Sequence, residues 1–119
     1  MSTEYHVITG KEQLNDATIG IVLSRYNAKV VDRLLSACIA RLRKAGLGAD
    51  RILIVEVPGA FEIPVAVQRL VLKHSCDAVI ALGAVIRGET PHFDYIAGEC
   101  ARGIARIALD QDVPVISAC

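Results

Sequence analysis

Apolar and polar positions form two kinds of block along this chain. Mainly aliphatic runs, interrupted only by Gly20, Glu56, Gly83 and Pro114, occur at 19–23, 52–57, 78–86 and 113–116. Between them lie longer stretches in which apolar residues return every three or four positions. The runs have the length and branched side chains of strands, and the intervening stretches have the period of helices that bury one face. The run at 78–86 is apolar at every position and is bounded by Asp77 and Arg87. It predicts a central strand of a parallel sheet, buried on both faces.

Punctuation residues set the helices. Asn27 has the side chain of a helix cap, and Val31, Leu34, Leu35, Cys38, Ile39 and Leu42 then form one stripe. Gly46 and Gly48 end that helix. The segment Val57-Pro58-Gly59-Ala60-Phe61-Glu62 breaks the second strand. Pro64 suits the first turn of a second helix, which runs to about Lys73 and buries Ala66, Val67, Leu70 and Val71. Thr90 is placed to cap a third helix and Pro91 to open it. That helix runs to about Leu109, with Ile96, Cys100, Gly103, Ile104 and Ile107 as its stripe. Gly103 within the stripe predicts a close approach of the helix to the sheet. Pro114 is tolerable near the start of the fourth strand. Residues 5–8 have the character of a short edge strand, an arm suited to pairing with a neighbouring subunit.

The order is therefore β-α-β-α-β-α-β. It predicts an α/β protein, a three-layer α/β/α domain with a doubly wound, parallel, four-stranded sheet and right-handed crossovers. At 119 residues the chain is one domain, and 53% apolar residues suffice for a core. Thirteen basic residues balance thirteen acidic ones, which argues against general binding to nucleic acid or an anionic membrane. No run approaches the roughly 20 apolar residues that span a bilayer, and the polar start has no signal-peptide core. A cytoplasmic protein is expected. Cys38, Cys76, Cys100 and Cys119 lack metal-ligand spacing and are expected to be reduced, structural thiols.

In a parallel sheet the three strand-to-helix junctions open on one edge, where ligands of such sheets bind. The junctions are Ser24-Arg25-Tyr26-Asn27, Pro58-Gly59-Ala60-Phe61-Glu62 and Arg87-Gly88-Glu89-Thr90-Pro91-His92. They bring two aromatic faces (Tyr26 and Phe61), two acceptors (Asn27 and Glu62), an amide-rich turn and one imidazole. A heterocycle can stack on the rings, and a phosphate suits the start of the third helix. Each residue also has a plainer role. Tyr26 and Phe61 suit packing, and Gly59 and Gly88 suit turns. Glu62 complements a helix dipole, and His92 suits a solvated helix start. Arg25 and Arg87 read as surface charges, and His6 and His74 as residues without a site role.

Together the first junction, Val57-Pro58-Gly59-Ala60-Phe61-Glu62-Ile63-Pro64, and the stretch from Leu82-Gly83-Ala84-Val85-Ile86 through Arg87-Gly88-Glu89-Thr90-Pro91-His92-Phe93-Asp94-Tyr95 resemble the lumazine synthase family of riboflavin biosynthesis. The resemblance runs from about Ile19 to Ile116. It implies a flavodoxin-like fold and a cofactor-free condensation, a transferase reaction. The amine of a ribitylamino-pyrimidinedione attacks the carbonyl of a dihydroxybutanone phosphate, and 6,7-dimethyl-8-ribityllumazine forms. By the same likeness, Tyr26 stacks on the pyrimidine, with Asn27 beside it. Ala60, Phe61 and Glu62 line the ribityl chain. Ala84, Val85 and Ile86 bind the pyrimidine edge through backbone, Glu89 and Thr90 contact phosphate, and His92 transfers protons. Such a histidine titrates in the range the reaction needs. The resemblance also implies a homo-oligomer, a pentamer or a multiple of one, and no partner of nucleic acid or membrane.

Two departures stand out. Ser117 occupies a position that is usually aromatic in the family, so stacking is lost there while a backbone contact survives. The family continues past the place of Cys119 with two further helices and an arginine that grips phosphate. The resemblance thus implies that 1–119 is a single domain lacking those helices. An assembly protein or a flavin-like ligand binder of the same fold, with weak or no turnover, is the alternative reading.

Overall fold

A computed structural model describes residues 5–8, 10, 16–83 and 92–118, with residues 92, 93 and 118 described in backbone only. The strands are β1 (Ile19–Ser24), β2 (Ile52–Val57), β3 (Ala78–Leu82) and β4 (Val115–Ala118). The helices are α1 (Ala28–Lys44), α2 (Ile63–His74) and α3 (His92–Gln111). The strands form one sheet in the order β2-β1-β3-β4, and every pairing is parallel. This is the expected α/β architecture.

Strand alternation divides the core into two layers. Ile19, Ile21 and Leu23 of β1 and Leu82 of β3 pack with Val31 and Leu42 of α1 on one face. Val22, Val79 and Ala81 pack with Val67 and Leu70 of α2 and Cys100 and Ile104 of α3 on the other. The step from β1 to β2 crosses the sheet one way beneath α1. The steps from β2 to β3 and from β3 to β4 cross it the other way beneath α2 and α3. Crossovers of a single hand must swap faces when they reverse direction, which places one helix opposite two. The two central strands are sealed by both layers, so β1 is buried at all six positions. The edge strands are more open, and Ile54 and Ile116 remain exposed.

Several local expectations are refined. Asn27 occupies the cap position of α1, but its backbone is left-handed (φ 59°, ψ 57°) and its side chain makes no capping bond. Asparagine is among the few residues that adopt this conformation without a large penalty, so it turns the chain into the helix. Gly46 ends α1 in a left-handed conformation (φ 101°), with its N–H on the Arg43 carbonyl and the Leu47 N–H on the Leu42 carbonyl. This is a Schellman closure, and only Gly46 supplies it. Gly48 lies outside it in extended backbone, before a short turn at Ala49–Arg51. Residues 5–8 carry no strand, and Tyr5, Val7 and Ile8 are exposed. Thr90 and Pro91 lie outside the described residues. Pro64 does fall in the first turn of α2.

Gly103 marks a close approach, but to another helix rather than to the sheet. A Cβ added there would lie 2.7 Å from Cβ and 2.8 Å from Cγ of Pro64. The start of α2 and the middle of α3 are thus in direct contact. At the amino edge of the sheet, the Thr18 N–H donates to an Asp77 carboxylate oxygen at 2.8 Å, and the Asp77 N–H donates to the Thr18 carbonyl at 2.8 Å. That reciprocal pair holds β1 and β3 level.

Cys38, Cys76 and Cys100 form no disulfide. Burial pushes the Cys38 thiol up, and at Cys76 burial is joined by the neighbouring Asp77 charge. An unfolded cysteine ionises near 9.0, whereas these two hold their protons to higher pH. The stability they contribute is complete below that value and is lost as pH rises through the raised folded values. Thermal stability should therefore fall above about pH 9, and less steeply in Cys76→Ala than in the parent. Melting curves of both proteins across this range check the difference; parallel curves would contradict it.

Candidate functional site at the carboxyl edge of the sheet

Strand register brings the junctions together. Ser24 at the end of β1 sits beside Val57 at the end of β2, and Leu23 sits beside Leu82 at the end of β3. The chain leaves β1 toward β2 and leaves β3 toward β4, so the neighbouring ends of β1 and β3 form the point at which the winding reverses. A crevice opens at such a point because the two connections diverge. The Arg25 N–H donates to the Val57 carbonyl at 2.8 Å, which ties the first junction to the second. The Arg25 and Glu56 side chains also approach to 4.0 Å, but both are well exposed. A pair so open to solvent contributes little, in keeping with Arg25 as a surface charge.

The second junction folds as a short 3-10 turn, Ala60–Glu62, directly into α2. Ala60 and Ile63 are buried on either side of it, and this anchors the turn while Phe61 and Glu62 face outward. Glu62 stands at the cap position of α2 without a capping bond, where its charge complements the helix start. Phe61 is 55% exposed and Tyr26 57% exposed. Rings this open do not serve the core of this chain.

Phe61 has a partner that the sequence pattern did not single out. Its ring stacks on Tyr95 of α3, with centroids 6.3 Å apart and planes 19° from parallel. This joins the second junction to the start of the third helix. Tyr95 lies three residues after His92 and closes the third motif, and that spacing was the available signal. Ser24 was also not singled out. It is fully buried at the end of β1, and its Oγ has no hydrogen-bond partner among the described residues. A buried hydroxyl without a partner costs about 1–3 kcal/mol.

Other candidates are placed in part. Asn27 is half-buried at the start of α1. Ser117 lies in β4 beside Ala81, near the same sheet edge. His92 begins α3, but its side chain lies outside the described residues, as do Ala84, Val85, Ile86, Glu89 and Thr90. A hollow of about 430 Å³ between α2 and α3 is lined by Pro64, Gln68, Gly103 and Arg106. Neither Tyr26 nor Phe61 lines it, so it is separate from the junctions. Among the described residues no group of three or more His, Cys, Asp or Glu side chains is arranged to hold a metal, and no helix is long and apolar enough to cross a membrane.

The described part of the edge presents two exposed rings, Tyr26 and Phe61, and the exposed carboxylate of Glu62. The family model described as 6,7-dimethyl-8-ribityllumazine synthase matches residues 16–119, which takes in all three junctions, and the chain belongs to that family.

Proposed function

We propose that the protein is a cytoplasmic transferase that condenses 5-amino-6-(D-ribitylamino)uracil with 3,4-dihydroxy-2-butanone 4-phosphate to 6,7-dimethyl-8-ribityllumazine. The observation that carries the reading is that the carboxyl ends of β1, β2 and β3 lie side by side at one sheet edge, with Tyr26 and Phe61, just beyond the first two, open to solvent. Family membership supports the same reaction class.

In this reading Tyr26 stacks on the pyrimidine ring, with Asn27 beside it. Ala60, Phe61 and Glu62 run along the ribityl chain, Phe61 as an apolar wall and Glu62 as a hydroxyl acceptor. Ala84, Val85 and Ile86 meet the pyrimidine edge through backbone, and Ser117 approaches from β4. Glu89 and Thr90 hold the phosphate. The primary amine attacks the ketone, water leaves as the imine forms, phosphate is eliminated, and ring closure releases further water. Each step moves a proton on or off nitrogen, oxygen or carbon, and His92 carries that traffic. Holding both substrates side by side supplies the larger share of the acceleration. The protein's own residues suffice for this scheme without a cofactor.

Self-association belongs to the same proposal. Val65 and Leu72 on the outer face of α2 and Ile54 and Ile116 on the edge strands are each about half exposed or more. Another copy of the chain, in a pentamer or a multiple of one, would cover such surface. The test is turnover of the 119-residue chain with both substrates, read as lumazine fluorescence above the spontaneous rate, with native mass measured on the same preparation. A clear enzymatic rate from an oligomer is expected. Folded protein with a background rate would move the reading to an assembly or ligand-binding protein, and a stable monomer would remove the shared assembly.

A further inference from the structure

The Phe61 ring is mounted on a single turn and is more than half exposed, so its own backbone holds it only loosely. A side chain so placed would lose rotamer freedom on binding a ligand, and that loss weakens binding. Tyr95 supplies the described restraint. Its ring lies near-parallel to Phe61 at a centroid distance of 6.3 Å, within the range of attractive aromatic pairs. Tyr95 is itself 59% exposed, so it is not there to fill the core. Its position is set from behind by α3, whose Gly103 rests directly on Pro64 of α2. The contact between the helices therefore fixes the spacing between the two rings.

We propose that Tyr95 is a positioning residue for the ribityl-bearing substrate, acting through Phe61. The inference rests on the reading that Phe61 lines the ribityl chain. Tyr95 pre-sets the Phe61 ring before the substrate arrives, so its contribution appears in the affinity for that substrate alone. The phosphate-bearing substrate does not meet Phe61 and is unaffected. The stacked face, not the hydroxyl, carries the effect.

The experiment measures the dissociation constant of 5-amino-6-(D-ribitylamino)uracil for the parent, Tyr95→Ala, Tyr95→Phe, Phe61→Ala and the double alanine variant. Circular dichroism establishes that each is folded, and KM and kcat are taken on the same proteins. Tyr95→Ala should bind the pyrimidine about 3–10-fold more weakly, the range that loss of one aromatic pair produces. It should leave kcat at saturation and KM for the butanone phosphate unchanged. Tyr95→Phe should bind as the parent does, and Tyr95→Ala should add nothing once Phe61 is gone, since the two residues act as a unit. Parent-like binding by Tyr95→Ala would overturn the proposal. So would an equal loss in both affinities and kcat, a Tyr95→Phe as weak as Tyr95→Ala, or additive effects in the double variant. A parent that binds pyrimidine while Phe61→Ala binds it equally well would overturn the assigned role of Phe61. A parent that does not bind the pyrimidine would instead overturn the proposed reaction, and the role of Tyr95 with it.

Discussion

His92→Ala is expected to lower kcat for lumazine formation by about 10²-fold, the lower end of what general acid–base catalysis supplies. The proposed reaction moves several protons. Imine formation consumes and releases protons on nitrogen and oxygen, and phosphate elimination needs a proton removed from carbon. Near neutral pH an imidazole can give and take them at similar cost, because its ordinary pKa lies close to 6.5. His92 opens α3, just beyond the central strand β3. The rate should not vanish, since proximity of the two substrates contributes independently. KM for both substrates should change little, because the lost interaction belongs to the transition state. Steady-state kinetics of folded His92→Ala decide the point, and unchanged turnover would remove His92 from the role.

The largest expected loss of stability lies at Gly103. A Cβ there would stand 2.7 Å from Cβ of Pro64, closer than real contacts allow, and a proline ring cannot swing aside. Gly103→Ala gains about 1 kcal/mol of helix propensity, against overpacking that costs about 1–3 kcal/mol. A net loss is expected, because relief requires α3 to shift as a body. Gly103→Val combines the clash with a larger side chain and a stiffer χ1, and should lose about 3 kcal/mol or more. Gly20 provides a contrast. A Cβ there meets the Leu70 Cδ1 at 2.8 Å and the Cys76 Sγ at 3.1 Å. The nearest of these is the far end of a flexible side chain and can move. Thermal melts of the three variants should thus rank Gly20→Ala closest to the parent and Gly103→Val furthest from it. A Gly103→Val protein as stable as the parent would mean that the two helices are not in firm contact. Because α3 carries both Tyr95 and His92, Gly103→Ala should also weaken the pyrimidine site more than its modest destabilisation implies.

Most of the fold was legible because burial leaves a periodic trace. Strands covered on both faces need nearly continuous apolar runs, and the central strands β1 and β3 fall where such runs occur. Helices buried on one side need a stripe, and Val31, Leu42, Ala66, Val67 and Leu70 lie on theirs. Alternation of the two patterns implies a parallel sheet, since each crossover needs a helix to return the chain. The junction residues were legible for a different reason. Exposed rings and glycines at strand ends contribute little to packing, so Tyr26, Phe61 and Glu62 stand out against the surrounding pattern.

Other features depended on contacts between distant residues, which no local pattern encodes. Gly103 was recognisable as a point of close approach, but whether it met the sheet or a helix depended on where α2 crosses α3. Asn27 looked like a side-chain cap, yet the tertiary path required a left-handed turn, which asparagine also supports. Residues 5–8 had strand character, but a strand needs a partner edge, and none of the described strands pairs with them. The stack of Phe61 on Tyr95 spans 34 positions and exists only because β2 ends and α3 begins at one edge of the sheet. The sequence by itself determined which segments are strands and helices and which residues gather at the junctions, because those follow from local periodicity and turn chemistry. Only the tertiary structure decided strand order, the helix-to-helix contact at Gly103 and the pairing of aromatic rings, because these are set by how the elements fill space against one another.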